Sequence, residues 1–224
     1  SVLNTLNGNT TGNINADTVT TLTGSITDLN TAYTASAATG DGISNLGNEA
    51  ITLSDTSVTD ISALNTLNGN TTGNIDAGTN VTSFTGSISA LNTMFAAAGD
   101  SGDKISFSGS AGAADQTVTI SDTTDVSVTG LNTLNTNTSG NIDATNVTSL
   151  ASASISDIKT LLTNGNNTTN NFAATSFQSL ATVAVSGTSI SVADLNDSIT
   201  QANTATGGTS TLFSVDSGAT ITTG

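Results

Sequence analysis

The chain has 224 residues, of which 8% are charged and 3% aromatic, and 17 acidic against 2 basic residues give a formal net charge of −15. Lys104 and Lys159 cannot build the clustered basic surface that nucleic acid or an anionic membrane demands. With neither Cys nor His present, disulfides, zinc sites, thiol or imidazole nucleophiles and a haem-ligating His are all excluded.

Ser1-Val2-Leu3 aligns with Ser62-Ala63-Leu64, so the chain opens in the middle of a repeat, as expected of a piece of a longer protein. Residues Leu3 to Asn15 recur as Leu64 to Asp76, differing only at the last position, and more loosely as Leu131 to Asp143. A Leu-Asn-Thr marker or its variant begins at Leu3, Leu29, Leu64, Leu91, Leu131, Ile158 and Leu195, with spacings of 26, 35, 27, 40, 27 and 37. Short and long repeats alternate, and such periods signal stacked architectures. The Ser-, Thr- and Asn-rich background could be disorder, but Ile, Val and Leu on a fixed rhythm favour a thin, repetitive fold.

Each repeat opens with a short alternating segment. Asn13 to Ala16, Ile51 to Ser54, Asn74 to Ala77, Val118 to Ser121, Asn141 to Ala144 and Val183 to Ser186 all read as strands with one buried face. The next such segment lies a repeat away, so parallel pairing between repeats is expected rather than hairpins. A helical pattern follows: Leu22, Ile26, Leu29 and Tyr33, then Phe84, Ile88, Leu91 and Phe95, then approximately Leu150, Ile155, Ile158 and Leu162 fall on one helix face. Ser25, Ser87 and Ser154 stand as N-caps, and Asn68-Gly69 as a C-cap. Residues 96–115 read as a loop with an irregular strand near Lys104 to Ser108, Asn164 to Asn171 as a polar turn, and the segment beyond Gln201 as renewed strand-like alternation.

These patterns predict a repeat solenoid of stacked short parallel strands and short helices, an α/β arrangement loosely like a leucine-rich repeat but without a fixed Asn ladder. The alternative is an all-β parallel β-helix. Residues 1–163 form the regular solenoid, and 164–224 are degenerate repeats or a cap that continues it. No apolar run reaches the ~20 residues of a membrane span, so no membrane insertion is expected.

Acidic loops are the candidates for metal chemistry. Asp100 with Asp103, and Asp122 with Asp125, place carboxylates close enough to share a calcium ion with backbone carbonyls, and Asp41 and Asp115 lie in similar loops; the competing reading is solvated surface acids. Asn9, Asn70, Asn80, Asn137, Asn146, Asn166, Asn167 and Asn196 open Asn-x-Ser/Thr sequons, which in so Asn- and Thr-rich a chain read first as turns and side-chain ladders. The acids recur with the repeat, whereas catalytic groups normally occur once, and no Gly-x-Ser-x-Gly or Ser-x-x-Lys motif is present. An enzyme is therefore not expected. A flat ice-binding Thr face is not evident either, because outward strand positions vary among Asn, Asp, Thr and Ser.

The phrases Leu64 to Ala77, Val-Thr-x-Leu-Thr-Gly-Ser-Ile and Leu46 to Val58 resemble tandem repeats of giant secreted surface proteins of the marine cyanobacterial type. The resemblance covers roughly residues 1–160. It implies an exported, non-enzymatic protein at the cell surface or in extracellular fibres, with no catalytic residues to carry over. The expected function is a structural segment of an extracellular filament, surface layer or giant surface protein, self-associating through end-to-end contacts. The alternative is an adhesin that recognises glycan or ice through one face.

Overall fold

The computed structural model describes residues 2–37, 42–98, 105–107, 115–167, 171–173 and 175–223. In chain order these carry α1 (Val2–Asn9), β1 (Ile14–Asn15), β2 (Thr21–Gly24), α2 (Ile26–Ala37), β3 (Ile43–Ser44), β4 (Ala50–Leu53), β5 (Ser57–Val58) and α3 (Ile61–Asn70). Next come β6 (Ile75–Asp76), β7 (Ser83–Gly86), α4 (Ile88–Ala98), β8 (Ile105–Ser106), β9 (Thr117–Ile120), α5 (Val128–Asn137) and β10 (Ile142–Asp143). The last are β11 (Ser149–Ser154), α6 (Ile155–Gly165), β12 (Thr182–Ser186), β13 (Ser189–Ser191), α7 (Val192–Ala205), β14 (Leu212–Val215) and β15 (Thr220–Thr222). The fold is α/β with parallel sheets. The seven helices among the described residues set aside the all-β alternative.

Two compact units divide the chain, residues 1–84 with 93–114 and residues 85–92 with 115–224. In the first, β1 pairs with β3, β2 with β4, β4 with β6, β6 with β8 and β5 with β7, always in parallel. In the second, β9 pairs with β10, β11 with β12, β12 with β14 and β13 with β15, again in parallel. Single parallel bridges join Val126 to Leu150 and Ile142 to Phe172. Partners lie one repeat apart, from 24 residues for Ile51 with Ile75 to 33 for Leu150 with Val183. This is the inter-repeat pairing that the alternating segments predict.

Burial follows the marker. Leu29, Leu64, Leu91, Leu131 and Ile158 are all buried, as are the strand residues Ile51, Ile75, Val118, Ile142 and Val183. Each of these elements is too short to persist alone, so packing of one repeat on the next holds it. The serine caps are as the sequence predicts: Ser25 Oγ accepts from Asp28 N at 3.1 Å, Ser87 Oγ from Ala90 N at 3.3 Å and Ser154 Oγ from Asp157 N at 3.2 Å.

Two readings change. The helical spacing of Phe84, Ile88, Leu91 and Phe95 is not one helix face, because Ser83–Gly86 is the strand β7 and the helix begins at Ile88. Phe84 instead packs edge-on against Phe95 at 6.4 Å, with Phe107 at 5.6 Å. Strand and helix converge on one core and imitate a helical period; Leu22 in β2 is the same case. Asn68-Gly69 does not cap α3 either, since the helix runs to Asn70 and Thr71 is the cap. What ends it is the neighbouring repeat, because Thr72 N donates to Gly47 O at 2.7 Å. Glycine does end α7: Gly207 and Gly208 take φ of 66° and 89°, and Gly208 N closes back on Asn203 O at 2.7 Å.

Candidate functional site

The recurring chemistry sits at the joints between repeats. In α1, α2, α4 and α5 the Asn of the marker reaches the following helix and donates to the carbonyl just before the next marker. Asn4 Nδ2 bonds Asp28 O at 2.9 Å, Asn30 bonds Ala63 O at 2.9 Å, Asn92 bonds Gly130 O at 3.0 Å and Asn132 bonds Asp157 O at 3.1 Å. This corrects the expectation that no Asn ladder exists. Its sequence signal is the Asn that follows the leucine of every marker except Ile158-Lys159-Thr160.

At α6 the marker carries Lys159 in place of Asn. Its ammonium bonds Asp197 at 3.0 Å and Asp194 at 3.1 Å on α7, and these two bonds raise its pKa. One rung is thus ionic where the others are amides.

A second joint is the Thr-x-Gly turn after α3 and α5. Thr71 Oγ accepts from Gly73 N, and Thr138 Oγ from Gly140 N, both at 2.9 Å. A Cβ on Gly73 would lie 2.0 Å from Glu49 O, and one on Gly140 2.0 Å from Gln116 O. Glycine is required there because the preceding repeat's backbone occupies the space. At Gly12, the same position in the first copy, a Cβ would meet only Thr10 Oγ, at an ordinary 3.6 Å.

Glu49 is buried beneath this joint. Its Oε2 accepts from the Tyr33 hydroxyl at 2.8 Å and from Gly47 N at 2.9 Å. Burial, with the Glu49 carboxylate beside it, drives the Tyr33 pKa far above its usual value despite an opposing bond from Thr71. A phenol so held neither gives nor takes a proton near neutrality, and the pair serves as a buried strut.

The predicted calcium residues fall differently. Asp100 and Asp103 lie outside the described residues, as does Asp41. Asp122 Oδ2 accepts from Ile88 N at 2.7 Å, and Asp55 repeats this on Ile26 N at 2.8 Å. Each thereby places its negative charge at the positive N-terminus of a helix. Asp125 is exposed, with φ of 50°, and its N–H donates to Ser149 Oγ at 2.7 Å. Among the described residues no three Asp, Glu, His or Cys side chains gather as a metal cage would need.

Among the described residues the first unit carries a groove and a smaller hollow. A groove of about 610 Å³ beside α2 is lined by Thr27, Asn30, Thr31, Thr34, Ala35 and Ala63, with no ionisable group. A smaller hollow of about 130 Å³ holds Asp55 and Asp60. Both acids already accept helix N–H groups, Asp60 from Ala63 N at 2.9 Å. The sequons are similarly committed where their bonds are described: Asn80 Nδ2 donates to Leu53 O at 2.7 Å and Asn166 Nδ2 to Gln201 O at 2.8 Å.

No protein-family model matches this chain. No curated protein and no solved structure matches it either.

Proposed function

We propose that this chain is a non-enzymatic structural segment whose repeats stack as the coils of an α/β solenoid, in each compact unit, within an extracellular filament, surface layer or giant surface protein. The supporting observation is how its polar groups are used. Strand pairs run parallel between successive repeats, and Asn, Thr and Asp side chains spend their hydrogen bonds on neighbouring backbone. Each coil then advances the stack by about 4.8 Å and buries its Ile, Val and Leu against the next. Self-association at the exposed coil ends extends the stack. Export to the cell surface agrees with a chain that has no Cys and a strong acidic excess.

Electron microscopy of the purified protein tests this reading. Rods or fibres are expected, and dispersed particles without either overturn it. A binding module is the second reading, favoured by one feature of the helices. Thr31, Thr66, Thr133 and Thr160 are exposed, and each hydroxyl bonds the carbonyl four residues back. Each unit thereby carries a pair of uncharged hydroxyls on neighbouring helices, Thr31 with Thr66 in the first and Thr133 with Thr160 in the second, of the kind an adhesin presents to a glycan. Retention on polysaccharide beads, lost in a Thr31→Lys, Thr66→Lys double variant, would select that reading.

A further inference from the structure

The fold separates the Asn-x-Ser/Thr motifs into two kinds. Asn80 and Asn146 belong to joints between repeats. Their side-chain nitrogens donate to Leu53 O at 2.7 Å and Ile120 O at 3.5 Å, and the residue after each, Val81 or Val147, is buried. Asn166 is tied to Gln201, whose backbone carbonyl and side-chain oxygen it bonds at 2.8 Å and 2.6 Å. Asn196 is exposed, but its motif ends on Ser198, which is fully buried.

Asn70 and Asn137 are of the other kind. Each is the last residue of its helix, α3 or α5, and each precedes a Thr with extended backbone. Thr71 has φ of −128° and ψ of 152°, and Thr138 has φ of −126° and ψ of 147°. The chain thus leaves the helix directly after the asparagine. Asn70 is exposed there and Asn137 half-buried, and the hydroxyl residues that complete their motifs, Thr72 and Ser139, are exposed. The Asn137 side chain makes no hydrogen bond to a described residue. Asn70 Nδ2 has one long contact in the open, 3.4 Å to Asn30 Oδ1, and a carboxamide has two N–H groups, so one remains when the other is substituted. Asn9 holds the same place at the end of α1 and is exposed.

We propose that Asn70 and Asn137, with Asn9, are attachment sites for N-linked sugar, one in each pair of repeats. The donor is a glycosyl diphosphate. Nδ2 bonds the anomeric carbon as the bond from that carbon to the diphosphate breaks; the diphosphate leaves with the electron pair and the amide gives up one proton. The proposal rests on the reading of an exported chain given above, since such motifs serve as acceptors in secreted proteins. A sugar is bulky and solubilising, and in each unit it would hydrate the edge at which α3 or α5 ends.

Peptide mass mapping of the protein from its natural source tests this. Sugar is expected on Asn70 and Asn137, with Asn80 and Asn166 unmodified; bare Asn70 and Asn137, or equal modification of Asn80, overturns the proposal. A soluble N-glycosyltransferase supplied with UDP-glucose gives a second readout on the purified, folded chain. It should add glucose at Asn70 and Asn137, and at Asn80 only after unfolding in urea. Thr72→Ala should abolish addition at Asn70 alone, and Thr72→Ser should keep it. Glucose at Asn80 as readily as at Asn70 in the folded chain, or addition at Asn70 that persists in Thr72→Ala, also overturns it. Rods or fibres with bare Asn70 and Asn137 leave the structural reading standing and sink only the sugar sites. Sugar on both with dispersed particles keeps the sites and sinks the assembly.

Discussion

At the scale of single residues, the acids that recur with the repeat act as turn-formers. Asp76 accepts from Gly78 N at 2.9 Å and Thr79 N at 3.0 Å as well as from the Thr79 hydroxyl, and Asp143 holds Thr145 in the same way. Partial burial pushes the Asp76 pKa up, but these three bonds together outweigh it and hold the carboxyl below the usual range. A depressed folded-state pKa contributes stability that is complete above the unfolded value of about 4 and is lost as pH falls through the folded value. Asp76→Asn keeps an acceptor, since Asn15 already fills this place and receives Asp17 N at 3.0 Å. The variant should melt below the parent by a constant margin at neutral pH, and the margin should close below about pH 4. A margin unchanged down to acid would show that the charge plays no part.

Among the elements, the ladder explains how helices of 8 to 14 residues persist. Each is near or below the length at which an isolated helix is stable in water, so serine caps and inter-helix amides supply what length does not. Asn30→Ala removes the donor to the part-buried Ala63 carbonyl and should cost about 1 kcal/mol in urea denaturation. Thr27→Ala, on the exposed side of the same helix, should stay within about 0.5 kcal/mol. Equal effects would deny the ladder any energetic role. The elements also show where one-dimensional reading falters. Phe84 and Leu22 sit at helical spacing from the residues that follow, and nothing local tells a strand that turns into a helix from a longer helix. Gly69 looks like a stop but is an exposed helical residue with open space around its Cβ position.

For the molecule as a whole, the charge of −15 opposes association. Copies stacking end to end as proposed would have to overcome the repulsion of that net negative charge. Screening shortens that repulsion to about 10 Å at 0.1 M salt, so sedimentation should show larger species as ionic strength rises from about 0.01 to about 0.15 M. Dissociation over that range would point to contacts made by charge and against the proposed stacking of uncharged coil ends.

The sequence alone determined the period, the alternation of short and long repeats, the inter-repeat parallel pairing and the buried marker residues Leu29, Leu64, Leu91, Leu131 and Ile158. All of these are periodic, and periodicity survives in one dimension. It also excluded the chemistry of His and Cys by their absence. Only the tertiary structure decided what the polar half of the marker is for. Asn30 and Ala63 are 33 residues apart, and Gly73 needs to be glycine because of the Glu49 backbone, 24 residues before it. Such contacts are set by which repeat lies against which, and no local pattern records that. The same reason hid the role of Asp122, which reads as a loop acid beside Asp125 until the fold brings it to the start of a helix 34 residues back.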